Sequence, residues 1–159
     1  MPPESFVVDS WTRMITGLQR MDLVDGIPIE NVRESVDMIL KGKLVIIAGG
    51  NQPKKWDIAC LGLDEKQYDI FDIQFYWRRR NFTQSGSMLQ PISLRDIYYY
   101  YYKVDLHNGV HDCVKDARAT MRLFRELYVP KNIVDRHDYP SDGFPEIVRV
   151  LPKRCPWKH

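Results

Sequence analysis

The chain has 159 residues with a formal net charge of +2, and 44% of its residues are hydrophobic. A chain of this length forms one domain with a modest core, and so small a charge does not by itself indicate nucleic-acid binding. Its three widely spaced cysteines argue against a disulfide framework, and it has no signal peptide or long apolar span. We therefore expect a cytoplasmic or nuclear protein that is neither secreted nor membrane-bound.

The N-terminal part is predicted to contain a lead and a helix. Residues 1–5 are expected to be disordered, and residues 6–8 form a short extended piece. A helix is predicted to begin at Pro28, because proline is favoured in a first turn, and to end at Gly42, since glycine commonly follows a helix. Its apolar face has the helical period and consists of Ile29, Val32, Val36, Ile39 and Leu40.

The middle of the chain is predicted to alternate strands with irregular segments. The apolar run at 44–48 is bounded by glycines, which is typical of a strand buried on both faces. A turn at 49–53 leads into a helix that is expected to reach Cys60. The sequence then predicts a second strand at 68–75 and an exposed loop at 77–90, which contains three consecutive arginines.

Five consecutive tyrosines lie within a helix that is predicted over 94–103. Successive helical residues turn by about 100°, so the five rings cannot share one face. Tyr98 and Tyr101 are predicted to point toward the core, whereas Tyr99, Tyr100 and Tyr102 are wholly or partly exposed. Exposed tyrosines can stack on bases or form a protein interface, and we favour packing or association for this helix.

The last predicted helix starts at His111 and runs to about Tyr128. Its apolar residues recur at intervals of three and four, and they are Val110, Val114, Ala117, Met121, Phe124 and Tyr128. Asp116 lies about one turn after His111, so the imidazole and the carboxylate can face one cleft. The alternative is a surface helix in which His111 and Asp112 only cap the first turn.

Five stretches of the chain resemble consecutive parts of one enzyme family. They are HDCVKDARATMRLF at 111–124, VVDSWTRMITGL at 7–18, ILKGKLVIIAGGNQ at 39–52, IFDI at 70–73 and SLRDIYYYYYKVDL at 93–106. The first resembles the final motif of the DEDDh 3′–5′ exonucleases, in the branch of RNA exonucleases that includes the interferon-induced exonuclease. The other four resemble earlier parts of that family, in order and at the family spacing.

The resemblance implies phosphodiester hydrolysis with two Mg²⁺ or Mn²⁺ ions, which four acidic residues hold while a histidine takes a proton from the attacking water. His111 and Asp116 match the family's final motif. A second acidic position falls on Gln52, whose neutral oxygen is a poor magnesium ligand. Lys54 and Lys55 beside it would repel a cation. We therefore expect no catalytic residue, and we interpret His111, Asp116 and Gln52 as vestiges of a site.

The remaining two carboxylates of the family, an Asp-x-Glu pair, lie on a strand that precedes the part matched here. The resemblance thus implies a truncated RNase H-like α/β fold over residues 6–129, helix-rich with a reduced sheet. A tail rich in proline and charge follows at 130–159, with a strand candidate at 146–151. Loss of the opening strands would expose an apolar edge at Val45 and Ile47. We expect a second copy of the chain to cover it, the alternatives being the terminal extended pieces or a different protein.

Three functions remain open. The favoured one is a catalytically inactive adaptor that forms a homodimer or a tight heterocomplex, in an RNA-processing complex, through Tyr99, Tyr100, Tyr102, Val45 and Ile47. The second is a non-catalytic binder of RNA that uses Lys54, Lys55, Trp77, Arg78, Arg79 and Arg80. The third is an active metal-dependent 3′–5′ exonuclease, and Mg²⁺ or Mn²⁺ is expected only in that case. Otherwise we expect no cofactor and no metal site.

Overall fold

The computed structural model describes residues 7–49, 57–83, 86–107, 109–129 and 143–147. In this part of the chain the helices are α1 (Ser10–Thr16), α2 (Ile29–Leu40), α3 (Asp57–Cys60), α4 (Leu94–Tyr102) and α5 (Cys113–Leu123). The strands are β1 (Leu44–Ile47), β2 (Asp69–Asp72), β3 (Arg78–Thr83) and β4 (Gly86–Pro91). Short 3₁₀ turns are Arg20–Leu23, Glu65–Gln67 and Ile73–Phe75, and a π-helical turn, Phe124–Tyr128, continues α5. The predicted α/β class is confirmed.

The first sheet consists of β1 and β2, which pair in parallel with Val45 opposite Ile70 and Ile47 opposite Asp72. Within the described part of the chain β1 pairs with β2 alone. The prediction that this strand is buried on both faces is wrong, because Leu44 is exposed and Val45, Ile46 and Ile47 are only half-buried. The described helices leave much of this strand uncovered.

The second strand is shorter than the sequence predicts. The expected extended segment reached residue 75, but β2 ends at Asp72. The Asp72 carboxylate accepts a hydrogen bond of 2.8 Å from the Gln74 backbone N–H. This bond caps the following 3₁₀ turn and therefore ends the strand.

Residues predicted to be an exposed loop form a β-hairpin instead. β3 and β4 pair in antiparallel fashion, with Arg78 opposite Pro91 and Arg80 opposite Leu89. The prediction was wrong because three successive arginines hide the alternation of apolar and polar residues that marks a strand. Long arginine side chains can lie along a sheet with their aliphatic parts covered, and all three are half-buried here.

The core lies between this hairpin, α4 and the end of α5. It consists of side chains that are at most 2% exposed, namely Ile73, Trp77, Ile92, Ile97, Leu123, Tyr128 and Ile147. Tyr128 is central, because its ring centroid lies 5.0 Å from those of both Phe71 and Trp77. Its hydroxyl donates a 2.9 Å hydrogen bond to the Ile73 carbonyl. Aromatic packing thus joins β2, the hairpin and the C-terminal end of α5.

A short piece of the predicted tail packs against the hairpin. The Phe144 backbone N–H donates to the Arg78 carbonyl at 2.7 Å, and the Ile147 side chain is fully buried. The predicted strand at 146–151 is described only at its first two residues, which are not in a strand. The rest of that candidate and the predicted lead at 1–5 lie outside the described residues.

Of the apolar residues that predicted this helix, Phe124 and Tyr128 at its C-terminal end pack in the core, whereas those nearer its start do not. Val114, Ala117 and Met121 are exposed, whereas the buried residues of the helix are Ala119, Thr120 and Leu123. The helical period therefore predicted the helix, but its apolar face is covered only toward the C-terminal end.

The predicted helix at Pro28 is confirmed as α2, with Pro28 at its N-cap and Gly42 (φ +69°) just after it. Neither α1 nor α2 contains a buried residue. None of the helices in the described part of the chain has the length and hydropathy that a membrane crossing requires.

A histidine–aspartate cluster as the candidate functional site

The start of α5 is fixed by its own cap. Asp112 is the N-cap residue, and its carboxylate accepts hydrogen bonds from the backbone N–H groups of Val114 at 3.0 Å and Lys115 at 3.1 Å. These backbone donors, with Lys115 first, hold the pKa of Asp112 below its ordinary value. The capping role that the sequence offered as an alternative is therefore real for Asp112, and it positions Asp116 in the first turn.

Two imidazoles converge on the Asp116 carboxylate. His111 Nδ1 lies 3.2 Å from Asp116 Oδ2, and His107 Nε2 lies 2.9 Å from Asp116 Oδ1. The two imidazole rings have their centroids 4.1 Å apart. The sequence predicted that His111 and Asp116 face one cleft, and the structure brings them together. It adds a third member, His107, which sequence reasoning missed.

His107 is the buried member of the cluster. Its side chain is 5% exposed, compared with 50% for that of His111. Its position depends on Asp105, which accepts a hydrogen bond from the His107 backbone N–H at 3.2 Å. Arg95 on α4 in turn donates to both carboxylate oxygens of Asp105 at 2.8 Å. Such a bidentate pair fixes geometry as well as charge, so α4 positions the loop that carries His107.

His111 is held by its backbone. Its N–H donates a 2.7 Å hydrogen bond to the Ile15 carbonyl at the end of α1. A Cβ built on the neighbouring Gly17 would lie 3.0 Å from the Val110 side chain. The loop before α5 therefore packs directly against α1, and the cluster lies where α1, the loop after α4 and the start of α5 meet.

The charge state of His107 follows from its burial. Desolvation lowers the pKa of His107 below its ordinary value of 6.5, and His111 and Arg95 act in the same direction, whereas Asp116 and Asp105 oppose it. Burial is the largest of these effects, because a charged imidazolium loses its hydration there. His107 is therefore neutral at neutral pH, which is the form that can bind a metal ion.

Acidification is expected to destabilise the fold through His107. The pKa of His107 is about 6.5 in the unfolded chain and lower in the folded protein. At a pH between these two values, His107 binds a proton in the unfolded chain but not in the folded one. The free energy of unfolding must then fall as the pH falls. Urea unfolding at about pH 7.5 and at about pH 5.5 should show this loss in the wild type and a smaller loss in His107→Gln.

The matched control for this prediction is His111→Gln, which removes the exposed imidazole of the cluster. The free energy of unfolding of this variant should depend on pH nearly as much as that of the wild type, because the unfavourable charging occurs at the buried ring of His107. Equal pH dependence in His107→Gln and the wild type would contradict the assignment of this effect to His107.

The described residues do not fit the metal centre that the resemblance implies. A pair of Mg²⁺ ions requires several oxygen ligands with carboxylate charge. The cluster offers one carboxylate and two imidazoles, and it is the one group of His, Cys, Asp and Glu side chains with metal-ligand spacing within the described ranges. These residues therefore do not supply the ligands of a magnesium pair. The donor set resembles instead that of a single transition-metal ion.

The structure corrects one predicted nucleic-acid contact. Trp77 is 1% exposed and packs between Tyr76, Tyr101 and Tyr128. Its Nε1–H donates to the Tyr101 hydroxyl at 3.3 Å. The prediction that Trp77 stacks on bases is wrong for this fold, because the ring would first have to leave the core.

The neighbouring arginines make contacts within their own part of the fold. Arg80 Nη1 donates to Ser87 Oγ at 3.0 Å, and the Arg78 guanidinium lies 5.3 Å from the centroid of the Phe75 ring. Arg79 is half-buried on the same strand. Phosphate binding by these three residues stays a prediction. The same holds for the roles assigned to Gln52, Lys54 and Lys55, which lie outside the described residues.

The tyrosine helix presents its side chains as the sequence predicts. Tyr98 and Tyr101 pack against the core as expected, and Tyr99 is exposed. Tyr100 and Tyr102 are half-buried and also pack against it. The Arg122 guanidinium lies 3.8 Å from the centroid of the Tyr102 ring, and the Tyr102 hydroxyl donates to Glu126 at 2.8 Å. Burial and the Glu126 carboxylate raise the pKa of Tyr102 well above its ordinary range.

The sequence places His107 close to the other two members of the cluster. His107 precedes His111 by four residues, and Asp116 follows His111 by five residues. The spacing was not informative by itself, because His107 lies in a loop where no helical period places it beside the other two. Only the bend of the loop after α4 brings its ring against Asp116.

Comparison with known proteins identifies relatives of this chain. The protein named RNA exonuclease 4 of Neurospora crassa is 30% identical over 124 residues, which is 78% of this chain and 28% of that protein. The RNA exonuclease 4 proteins of Gibberella zeae and Candida albicans are each 27% identical, over 75% and 77% of this chain and 35% and 40% of their own lengths.

The matched region thus spans well under half the length of each of these relatives. No family model matches the chain, and no solved structure matches it significantly. The resemblance drawn from the final motif and the four earlier stretches is nevertheless confirmed by these relatives. The chain is an exonuclease-like protein, similar over about three quarters of its length to proteins named RNA exonuclease 4, which is consistent with its resemblance to the DEDDh exonucleases.

Proposed function

We propose that this protein is a non-catalytic exonuclease-like module that acts as an adaptor by binding another protein chain. The observation that carries the proposal is the large amount of exposed apolar surface on α1 and α2, two helices without a single buried residue. The relatives are named RNA exonucleases, which favours a role beside enzymes that process RNA. In such a role the protein would act in the cytoplasm or the nucleus.

Lack of catalysis is supported by the residues at two of the family's metal-binding positions. One carries Gln52 with Lys54 and Lys55 close behind it, and a neutral amide beside two cations is a poor place for a divalent ion. At the other, Asp116 has an imidazole beside each of its oxygens. Two imidazoles beside one carboxylate make a nitrogen-rich site, which a magnesium ion does not favour.

The apolar surface is typical of an interaction site. Trp11 on α1 is 67% exposed, and Met38 on α2 is 74% exposed, with Met14, Ile29 and Ile39 also exposed on these helices. Monomeric proteins rarely expose many large apolar side chains together, whereas tryptophan and methionine are enriched at protein interfaces. Val110, whose side chain lies against Gly17 at the end of α1, adds further exposed apolar area.

The open edge of β1 adds backbone groups to this surface. Within the described strands β1 pairs on one side alone, and Val45 and Ile47 are half-buried. An unpaired edge is a template for a further strand. A second copy of this chain is the partner that we propose, because two-fold association is the commonest way in which like surfaces cover one another.

The RNA-binding alternative has less support from the described residues. Arg80 is hydrogen-bonded to Ser87, and Arg78 packs over Phe75, so these side chains already have contacts. Trp77, the predicted base-stacking residue, is in the core. RNA binding through phosphates would weaken steeply with salt, whereas an apolar interface would respond little.

Association is tested by sedimentation equilibrium of the full chain at micromolar concentration. We expect a dimer, and we expect Met38→Glu to weaken it by at least about tenfold, because a charge would be buried in an apolar contact. The matched control is Met88→Glu, the same substitution at an exposed methionine of β4, which should leave the dimer intact.

Two outcomes would contradict the proposed function. A wild-type chain that remains monomeric throughout this range would overturn self-association. Release of nucleotides from single-stranded RNA that requires both a divalent metal and His111 would overturn the non-catalytic assignment.

A further inference from the structure

The cluster of His107, His111 and Asp116 has an organisation that hydrogen bonding alone does not explain. Asp116 Oδ1 and His107 Nε2 lie 2.9 Å apart, yet Asp116 Oδ1 is buried without a hydrogen bond from any described residue. A buried carboxylate oxygen without a hydrogen bond is unfavourable, so this one requires a physical reason.

The donor atoms match one class of ligand. Imidazole nitrogens together with a carboxylate suit zinc and neighbouring transition-metal ions, whereas magnesium prefers oxygen ligands. The three ligand atoms lie within 4.8 Å of one another. Two ligands of a tetrahedral zinc ion with bonds near 2.0–2.2 Å are separated by about 3.3–3.6 Å. The nitrogen-to-oxygen distances of 2.9 and 3.2 Å here are close to that range, so small side-chain movements would admit an ion.

The three ligands are held in place by different parts of the fold. The Arg95–Asp105 pair fixes the loop of His107, the Ile15 carbonyl fixes the backbone of His111, and the capped first turn of α5 carries Asp116. Ligands placed by separate, already ordered elements form a site at little further entropic cost. Because the His111 side chain is half-exposed, the site is open to solvent on one side.

We propose that His107, His111 and Asp116 bind one divalent transition-metal ion of the zinc class, with water completing its coordination. The ion would neutralise the Asp116 carboxylate and join α1, the loop after α4 and α5 at one point. The site uses a residue, His107, that has no counterpart among the family positions matched above, and its ligand set differs from the four carboxylates of a magnesium pair. It does not depend on the proposed association with a second chain.

The proposal is tested by metal binding to the purified full chain, without any measurement of activity. Isothermal titration with Zn²⁺ and with Mg²⁺ should give one site per chain for Zn²⁺ and much weaker binding of Mg²⁺. Co²⁺ bound in place of Zn²⁺ should give the intense visible absorption of a four-coordinate ion, and Zn²⁺ should abolish it by displacement.

Variants identify the ligands. Asp116→Asn and His107→Gln should each weaken Zn²⁺ binding on the order of 100-fold, since even loss of an outer partner costs 10–100-fold. Asp112→Asn is the matched control, because it makes the same change on the same helical turn while an asparagine still caps the helix. It should bind Zn²⁺ as tightly as the wild type. Circular dichroism checks that each variant is folded. If His107→Gln does not fold, the test relies on Asp116→Asn, which keeps the shape of the side chain.

Two results would overturn the proposed metal site. The site is excluded if the wild type binds Zn²⁺ no more tightly than Mg²⁺. It is also excluded if folded Asp116→Asn retains the Zn²⁺ affinity of the wild type and the Co²⁺ spectrum.

Discussion

Replacing Trp77 by alanine is expected to lower the free energy of unfolding by about 3–5 kcal/mol. The side chain is 1% exposed and lies within the aromatic core, with Tyr128 5.0 Å away between ring centroids. Truncation would leave a cavity among rings that other elements hold in position, so the core could not collapse fully around it. Because small domains have a total stability of about 5–15 kcal/mol, this one change would remove a large part of it.

Urea unfolding followed by far-UV circular dichroism measures this effect without relying on tryptophan fluorescence. Met88→Ala is the control, because it truncates an exposed apolar side chain of β4 and should change stability by less than about 0.5 kcal/mol. If Trp77→Ala does not fold, Trp77→Phe should still cost about 1–3 kcal/mol through the smaller ring and the lost bond to Tyr101. A cost for Trp77→Phe no larger than that of Met88→Ala would contradict the placement of Trp77 in the core.

Replacing Gly143 by alanine is expected to detach the segment 143–147 from the hairpin. Gly143 has φ +71°, and a Cβ there would lie 3.0 Å from the Arg78 carbonyl carbon and 3.2 Å from the Arg79 Cα. These are backbone atoms of a paired strand and cannot move aside easily. The positive φ costs an alanine about 1–2 kcal/mol, and the crowding adds about 1–3 kcal/mol.

Gly42→Ala separates the two contributions. Gly42 has almost the same φ, +69°, but nothing lies within 4 Å of the position of its Cβ. It should therefore show only the cost of the backbone conformation. We expect Gly143→Ala to be the more destabilising, and its Phe144 amide to lose protection from hydrogen exchange, because the bond to Arg78 would break. Equal costs for the two variants would contradict the close packing of Gly143 on β3.

Local sequence signals located several elements well. Pro28 and Gly42 bracket α2 as predicted, and Ser93 caps α4 with its side chain on the Asp96 N–H at 3.1 Å. These features are determined within a few residues of the chain, because caps and helical periods depend on near neighbours. The resemblance to RNA exonucleases was also readable from short stretches, above all from the one that contains His111 and Asp116.

The errors concern surfaces that distant residues cover. The apolar stripe of the last helix is covered at Phe124 and Tyr128 but exposed at Val114 and Met121. The hairpin was missed because Arg78, Arg79 and Arg80 have no strand-like alternation, while its pairing partners lie on β4. The spacing of apolar residues shows that the two faces of a helix or strand differ. Which face is covered depends on the element that packs against it.

The sequence by itself determined the helical caps, the apolar run of β1 and the proximity of His111 to Asp116, since each depends on residues close together in the chain. Only the tertiary structure decided that Trp77 is a core residue and that His107 joins the cluster. His107 reaches Asp116 because α4, through Arg95 and Asp105, bends the intervening loop back toward α5. That contact depends on charge pairing and burial across elements, which no local pattern of residues contains.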